Sequence, residues 1–384
     1  MRDLTRQDAA NAIVGGGVFA CGGGGWRQHG ELMADAALSA GTPRLATIDD
    51  LPSQTWVATV TAIGAPAATT WEIRPEDYVT ALRLLIEAAH ARGRSVSAVM
   101  TAQNGYSTTI NGWIQSATLG VVVLDAAGDV RAHPTGKLGA LGLTTRRGYE
   151  SIQVTAGGNR ALHGYFEAVV RGSVVTCDDV LRDISVRTGG FIASARNPVE
   201  LAWVRDNAAI GAVSTALDLG ARMRAAQRGG AAAVIGEVLA TIGGTELARG
   251  PLRHAVPLRT TGGFDHGILG VGDVTVAYLN EFMAVEAGGQ RLASYPDTIA
   301  LLRLDSGLPL AVKDAAEGIG VAVLAAPAAG LPQSTSARDI LALREVEEIM
   351  GISLVAYLSD DRTRSEDPTS AVVRPLSPDG APHR

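Results

Sequence analysis

Three side chains suited to acid–base chemistry lie close together in the segment LDAAGDVRAHP, residues 124–134. Asp125 can act as a general base, Arg131 as a clamp for negative charge, and His133 as a proton carrier. The segment follows a short apolar run, so we expect it to be a loop at the end of a strand. An internal Asp125–Arg131 pair that stiffens this loop is the structural alternative, and the residues alone leave both interpretations open.

A second candidate is the glycine-rich segment VGGGVFACGGGGW, residues 14–26, in which seven of the eleven positions from 15 to 25 are glycine. Glycine loses the most conformational entropy on folding, so such a composition destabilises the folded state. It is typical of places where the backbone adopts positive φ or closely approaches a ligand or another stretch of backbone. The backbone N–H groups of the second cluster could hold an anion or an oxyanion. The candidate substrate-binding residues here are Gly22, Gly23, Gly24 and Gly25.

Cys21 precedes these glycines, and a nucleophilic thiol at this position would need a base, for which His29 and His133 are the candidates. The favoured interpretation is a small buried residue packed in a tight turn. The C-terminus of a helix raises the pKa of a thiol, which disfavours the reactive thiolate.

Nucleotide-binding motifs are not supported by the same segment. Residues 15–20 match G-x-G-x-x-A, but that fingerprint needs a strand before it and a helix after it. A capping box at Thr5 and Asp8 instead predicts a helix over residues 6–21 that ends in the glycine loop. No Lys-Ser/Thr pair follows the glycines, so a Walker loop is excluded as well.

Polar side chains in two further loops are candidate substrate-binding residues. Gln103 and Asn104 offer amide donors and acceptors that suit a planar ring with alternating C=O and N–H groups, or they are turn residues before a glycine. Gly263, Asp265 and His266 belong to TGGFDHG, where the Asp–His pair could transfer protons or bind a metal. No third metal ligand has a recognisable spacing, so a β-turn with a polar tip is favoured.

Glu281 is the last candidate, because Asn280 and Glu281 interrupt an otherwise apolar strand. An acid in such a place is exposed, paired or functional. Strand alternation predicts that the two side chains point to opposite faces, so that at most one of them reaches a given cleft.

Composition limits the class of protein. The chain of 384 residues is long enough for two domains, and its net charge of −6, without a basic cluster, argues against a nucleic-acid partner. Two cysteines are too few for a disulfide scaffold or a structural zinc site. Without an evident signal or spanning segment, we expect a cytoplasmic protein with a small-molecule substrate and no membrane partner. No cofactor is predicted; a divalent metal and a homo-oligomer stay open.

Strands alternate with helices through the first part of the chain, which predicts an α/β domain over residues 1–160 with a parallel sheet covered on both faces. Ligands of such sheets lie beyond the carboxyl ends of the strands. Three predicted strand ends are polar or glycine-rich, at residues 64–66, 101–107 and 125–134. The predicted helices cover 31–40, 75–92 and 110–119, and the predicted strands 44–47, 56–63, 96–100 and 121–124.

The pattern beyond this part predicts a second, β-rich domain over residues 161–358, with a helical segment near 199–228. Residues 359–384 have the composition of a disordered tail. The strands predicted in the second domain cover 274–283, 298–304, 309–313 and 320–324.

Six stretches occur in this order: the loop 22–25, GAP at 64–66, residues 124–134, TGGFDHG at 261–267, LNEFMAVE at 279–286 and YPDTIALLRLDSGLPL at 295–310. Together they resemble the S-methyl-thiohydantoin desulfurase-like family, formerly a domain of unknown function with a hydantoinase-related description. The resemblance spans roughly residues 9–327 and is closest at Asn280-Glu281 and Pro296-Asp297. It implies an α/β N-terminal domain, a β-rich C-terminal domain and hydrolysis of a five-membered cyclic ureide or thioureide.

Two loops depart from the family's pattern. The family has Glu-x-Gly-Gly-x-Asn where this chain has AQNGYS at 102–107, and Ala127 and Val130 replace an aspartate and a glycine of the second loop.

The leading hypothesis is a hydrolase-like enzyme in which water, activated by Asp125 or His133, attacks an sp² ring carbon. Glycine-loop N–H groups or Arg131 would stabilise the oxyanion. A cyclase or other biosynthetic enzyme, and a non-catalytic small-molecule-binding subunit, are the alternatives.

Overall fold

A mixed sheet organises the first half of the chain in the computed structural model, which describes residues 1–65 and 67–358. Its strands are β1 (Arg2–Asp3), β2 (Arg44–Ala46), β3 (Trp56–Gly64), β4 (Val96–Thr101), β5 (Val122–Ala127), β6 (Ser151–Gly157), β7 (Phe166–Gly172), β8 (Phe191–Glu200) and β9 (Ala209–Ile210). They form a nine-stranded sheet in the order β1-β2-β5-β4-β3-β8-β6-β7, with β9 paired to β5. The tail predicted over residues 359–384 lies outside the described residues.

The centre of this sheet is parallel. β2, β5, β4 and β3 run in the same direction, whereas β8, β6 and β7 continue the sheet antiparallel. The predicted α/β class is therefore confirmed, and the sheet is mixed around a parallel core. Because the core strands are parallel, the ends of β3, β4 and β5 meet at one edge of the sheet, where ligands usually bind.

Nine helices in the described residues accompany the two sheets: α1 (Arg6–Phe19), α2 (Arg27–Ala40), α3 (Pro75–His90), α4 (Trp113–Leu119), α5 (Val174–Arg187), α6 (Leu201–Asn207), α7 (Ala212–Ala226), α8 (Gly230–Ile242) and α9 (Ile340–Met350). None of the described helices is long and apolar enough to cross a membrane.

The predicted capping box begins α1. The Thr5 hydroxyl accepts from the Asp8 backbone N–H at 3.2 Å, and the Asp8 carboxylate accepts from the Thr5 N–H at 2.8 Å. The first three glycines of the glycine-rich segment lie inside α1. A Cβ on Gly15 would lie 1.9 Å from the Ala216 carbonyl oxygen of α7, so this glycine permits close helix packing.

The second sheet is antiparallel throughout. Its strands are β10 (Thr245–Thr261), β11 (Phe264–Val271), β12 (Val274–Leu279), β13 (Glu281–Ala287), β14 (Gln290–Ser294), β15 (Thr298–Arg303) and β16 (Gly320–Ala326). Their order is β14-β13-β12-β11-β10-β16-β15. The predicted β-rich C-terminal part is therefore confirmed, while the division at residue 160 stays a prediction.

Two strand predictions in this part are wrong. Residues 274–283 form two strands, β12 and β13, because the chain reverses at Asn280 with φ +56, a left-handed conformation that asparagine tolerates. Residues 309–313 form no regular strand. Pro309 makes an isolated bridge with Leu302, and a 3₁₀ turn covers Val312–Asp314.

The helical segment predicted near 199–228 is divided. β8 continues to Glu200, α6 follows, and β9 separates α6 from α7. A buried apolar cluster packs α7 and α8 against β15, β16 and the end of α1, including Val18 and Phe19. The second glycine cluster follows α1 directly, so it lies where the two sheets meet.

Candidate functional site

A pocket lies at the carboxyl ends of β3 and β4, between the first sheet and the start of β13. The pocket is small and half open, and its empty space comes to about 520 Å³ only when the open solvent at its mouth is counted. Its lining residues are Gly24, Gly25, Thr61, Ala62, Ile63, Gly64, Ala102, Gln103, Thr108, His133, Pro134, Gly136, Arg182, Phe191, Arg196, Asn280 and Glu281. Five of the predicted site residues are among them: Gly24, Gly25, Gln103, His133 and Glu281.

The glycine loop forms one wall because its backbone turns through the left-handed region. Gly22, Gly24 and Gly25 have φ of +85, +62 and +78. The Gly24 carbonyl oxygen accepts from the backbone N–H groups of Ser107 and Thr108, at 3.2 and 3.4 Å. The loop after β4 is thereby fixed against the glycine loop, and a Cβ on Gly25 would lie 1.8 Å from the Ser107 hydroxyl.

Glu281 is the acid of the pocket. Its side chain is buried, with 3% of the residue exposed, and its Oε2 atom has no hydrogen-bond partner among the described residues. Burial raises the pKa of this carboxyl to about 8, against the opposing effects of Arg131, Arg182 and the Gly24 backbone N–H. Most of this carboxyl is therefore protonated at neutral pH, and the ionised form becomes common as the pH approaches 8.

The chain reversal at Asn280, where φ is +56, interrupts the strand alternation. Asn280 and Glu281 both line the pocket, so the predicted alternation is wrong at this position. The Asn280 N–H donates to the Asp265 carbonyl oxygen at 2.6 Å, and the Asp265 N–H donates to Asn280 Oδ1 at 2.8 Å. These two bonds fix the start of β13 and therefore the backbone that carries Glu281.

The Asp265 carboxylate has structural partners. It accepts from the Thr260 hydroxyl at 2.6 Å and from the Ala67 backbone N–H at 2.9 Å. Burial raises the pKa of this carboxyl, and the two hydrogen bonds oppose that shift. Asp265 thus joins the second sheet to the loop after β3, and its side chain does not line the pocket.

His133 and Gln103 occupy the wall next to β4. The His133 backbone N–H donates to Gln103 Oε1 at 3.0 Å, and His133 Nε2 lies 3.3 Å from the Ala102 carbonyl oxygen. A carbonyl can only accept, so Nε2 carries the hydrogen. Burial lowers the pKa of His133 to about 4, so its imidazole is neutral at neutral pH.

Two arginines complete the pocket, and neither was identified in the sequence. Arg182 of α5 donates to the carbonyl oxygens of Gly263 and Pro134, each at 3.0 Å. Arg196 of β8 donates to Asp178 at 2.7 Å. Burial lowers the pKa of both guanidinium groups. The available signal was a charged residue inside the apolar run FIASARNPVE of β8.

Two of the predicted catalytic residues lie outside the pocket lining. Asp125 accepts from the Ser214 backbone N–H at 2.9 Å and from its hydroxyl at 2.6 Å, so it holds the first turn of α7. Arg131 is fully buried and donates to three backbone carbonyl oxygens, those of Ala132, Phe282 and Asp297. Although both side chains are described, they form no ion pair with each other.

The remaining predicted substrate-binding residues also have other partners. Asn104 donates to the Ala212 carbonyl oxygen at 2.8 Å and accepts from Thr109. Gly263 accepts from Arg182, and His266 lies partly exposed with Nε2 3.5 Å from the Thr261 hydroxyl. Gly22 and Gly23 lie behind the pocket wall, where a Cβ on either would meet Phe282 or Glu281.

Cys21 and His29 are not arranged as a nucleophilic thiol and its base. Cys21 is fully buried with φ +47, and burial raises the pKa of its thiol. His29 Nε2 lies 3.1 Å from the Tyr78 hydroxyl, and burial lowers the pKa of this imidazole to about 4. Among the described residues, no group of three or more His, Cys, Asp or Glu side chains could hold a metal ion.

Comparisons with known proteins identify the family. The model of the S-Me-THD-like N-terminal domain matches residues 7–162, and that of the S-Me-THD-like C-terminal domain matches residues 172–345. A crystal structure of a protein from Chromobacterium violaceum has a TM-score of 0.65 and 20% identity, over 91% of this chain and 97% of its own. That likeness shows the fold alone, and no curated protein matches. The chain therefore belongs to the S-Me-THD-like family.

Proposed function

We propose that the protein is a hydrolase acting on a small cyclic amide, ureide or thioureide of the hydantoin or thiohydantoin type, with Glu281 as its acid–base residue. The observation that carries the proposal is the Glu281 carboxyl itself. It lies buried in the pocket wall, its pKa is raised to about 8, and its Oε2 atom has no hydrogen-bond partner in the part of the chain that the structure describes. A perturbed acid in a cleft is a typical acid–base catalyst, and a pKa near the working pH suits that task.

The reaction has two steps. Ionised Glu281 accepts a proton from water while the water oxygen bonds to the sp² ring carbon, whose π electrons move onto its oxygen or nitrogen. The tetrahedral intermediate then collapses and breaks the ring C–N bond or the exocyclic C–S bond. Protonated Glu281 returns its proton to the leaving nitrogen or sulfur, which restores the carboxylate.

The roles first considered for other residues change accordingly. His133 is a weak base with a pKa of about 4, and its Nε2 faces the Ala102 carbonyl oxygen. Asp125 is held by Ser214. The remaining wall suits ring binding, because Gln103 presents an amide beside Gly24 and Gly25 of the glycine loop.

The test is turnover in water enriched in ¹⁸O. Hydantoin, its 2-methylthio derivative and succinimide are each incubated with the protein, and the products are analysed by mass spectrometry. We expect one ¹⁸O atom in the product of at least one of the three. Glu281→Gln should lower kcat by about 10²–10⁴, the usual contribution of a general base.

Glu286→Gln is the matched control, because Glu286 lies on the same strand, outside the pocket lining and paired with Arg291. It should keep the activity of the unchanged protein. If a cyclic ligand raises the melting temperature and is recovered unchanged, the protein is a binding subunit and the hydrolase proposal fails. Full activity of Glu281→Gln would reject the role of this carboxyl.

A further inference from the structure

β7 is an edge strand of the first sheet, and its outer side has no partner in the described part of the chain. Its seven residues, Phe166–Gly172, pair with β6 in one continuous antiparallel register. Among the described residues, no hydrogen bond joins the backbone of β7 to an element other than β6. Because half of the backbone groups of a paired strand point away from its neighbour, β7 presents a row of unused donors and acceptors.

β7 also lacks the features that usually protect such an edge. Edge strands are commonly kept short, interrupted by a bulge, or supplied with lysine or proline. The opposite edge of the sheet is protected in this way, since β1 has only two residues, Arg2 and Asp3, and both are charged. β7 has the sequence FEAVVRG, without lysine or proline, and its pairing with β6 shows no register shift. An edge of this kind is suited to pairing with a strand of another chain.

Apolar side chains are exposed along the same edge. Phe166 and Val169 of β7 are 48% and 42% exposed. Leu162 and Tyr165, in the turn before the strand, are 63% and 39% exposed. Single exposed apolar residues are ordinary, whereas a group of them beside an open strand edge is typical of a surface that another protein covers. The edge therefore offers apolar contacts in addition to backbone hydrogen bonds.

The charges of β7 indicate that the partner is a second copy of the same strand. In a twofold pair of antiparallel strands, facing residues have their side chains on the same face of the sheet, so one residue must face its own copy. When Val169 faces its copy, Glu167 of each strand faces Arg171 of the other. Centring the pair on Ala168 or Val170 instead leaves both charged residues opposite uncharged ones. Of these three registers, the one at Val169 is self-complementary in charge.

Glu167 and Arg171 are both available for this pairing. Both side chains are exposed, and neither forms an ion pair within the residues that the structure describes. Glu167 accepts one hydrogen bond, from the Tyr165 hydroxyl at 2.6 Å, whereas a carboxylate can accept several. Opposite charges that face each other across an antiparallel pair stabilise it, and each such contact occurs twice in a twofold dimer.

We propose that the protein forms a dimer in which the β7 strands of two copies pair antiparallel, with Val169 facing its copy and Glu167 facing Arg171. The two nine-stranded sheets then form one continuous sheet. In this register Phe166 lies opposite Gly172 of the second copy, so that an aromatic ring faces a position without a side chain. The dimer is independent of the reaction proposed for the pocket, and its test needs no substrate.

Sedimentation equilibrium of the full chain measures the dissociation constant of the dimer. We expect the unchanged protein to be dimeric at micromolar concentration. Glu167→Arg and Arg171→Glu each place like charges opposite each other twice, so each should raise the dissociation constant by at least about tenfold. Combining the two reversals restores opposite charges and should return the dissociation constant to within about threefold of the unchanged protein. Arg228→Glu, at an exposed arginine between α7 and α8, is the matched control and should have no effect.

Val169→Cys tests the register directly. The Cα atoms of facing residues in an antiparallel pair lie about 4.5–5.5 Å apart, which is within the range that a disulfide spans. Oxidised glutathione should therefore convert Val169→Cys into a covalent dimer on a non-reducing gel. The native cysteines, Cys21 and Cys177, are both buried and do not compete. Val256→Cys, at an exposed position of β10, is the control and should stay monomeric on the gel.

A monomeric unchanged protein would overturn the inference. So would a dimer whose dissociation constant neither single charge reversal changes, since such a dimer uses another surface. If the combined variant associates as weakly as the single variants, or if Val169→Cys forms no covalent dimer, the strands do not pair in this register and the inference fails.

Discussion

Gly23 and Glu281 lie so close together that a Cβ on Gly23 would be 2.1 Å from Oε1 of the Glu281 carboxyl. The neighbouring glycines of the loop adopt left-handed φ, but Gly23 does not. Its N–H donates to the Ala20 carbonyl oxygen at 2.8 Å. Left-handed strain therefore does not explain the glycine at position 23, whereas the Glu281 carboxyl fills the space that a Cβ would need.

Gly23→Ala should therefore affect catalysis more than folding. The added methyl group displaces the Glu281 carboxyl, and a misplacement of about 1 Å can lower turnover about 100-fold. Urea unfolding and turnover on the same preparation measure the two effects. Gly236→Ala is the control, because a Cβ at this position of α8 meets nothing within 4 Å. A Gly23→Ala protein with normal turnover would show that the position of the carboxyl is unimportant.

Gly24→Ala should affect folding. Gly24 has φ +62, and its Cβ would lie 2.7 Å from the Gly105 Cα atom, so both strain and a backbone clash result. Left-handed φ alone costs about 1–2 kcal/mol for a residue with a side chain. We expect the free energy of unfolding, measured in urea, to fall by at least that amount. An unchanged midpoint would mean that the loop adapts without cost.

Asp125→Ala should lower stability and leave the turnover of each folded molecule unchanged. Asp125 accepts two hydrogen bonds from Ser214 at the first turn of α7, and a bond to a charged group contributes about 1.5–3 kcal/mol. The free energy of unfolding of Asp125→Ala, Ser214→Ala and the double variant gives the coupling between the two residues. Loss of turnover at full stability would restore Asp125 as a catalytic candidate.

Glu281→Gln should change how stability depends on pH. The pKa of Glu281 is about 8 in the folded chain against an ordinary value of 4.5, so between these values the folded state holds a proton that the unfolded state releases. The free energy of unfolding of the unchanged protein therefore falls as the pH rises from about 4.5 to about 8.

The glutamine variant lacks this contribution. The free energy of unfolding of Glu281→Gln minus that of the unchanged protein should increase by up to about 1.4 kcal/mol per pH unit through that window. Above the window the difference should stay constant. Urea unfolding at several pH values measures the difference. Two parallel stability curves would show that the pKa of this carboxyl is not raised.

The sequence predicts best where the interaction is local. The Thr5–Asp8 capping box needs only neighbouring residues, and the parallel core follows from alternating strands and helices. Glu281 could be selected because an acid in an apolar run needs an explanation. The left-handed turn at Asn280 could not be foreseen, since two apolar strands joined by one residue look like a single strand.

The other parts of the site depend on distant pairings. Asp125 is expected in the loop after a strand, but it lies within β5, and its carboxylate is held by Ser214, a residue 89 positions away. Arg182 and Arg196 reach the pocket from α5 and β8, and no local motif marks them. Side-chain partners of this kind are set by the packing of the two sheets and not by sequence spacing.

The dependence of kcat/KM on pH tests the central claim most directly. It should be measured with a hydantoin-type substrate for the unchanged protein, with Glu286→Gln as control and Glu281→Gln as the test variant. If ionised Glu281 is the base, kcat/KM rises about tenfold per pH unit below its pKa and reaches half of its plateau near pH 8. Glu286→Gln should show the same curve, and Glu281→Gln only a low residual rate without this inflection. A profile that is flat between about pH 6 and 9, or an inflection near pH 8 that survives in Glu281→Gln, would contradict the account.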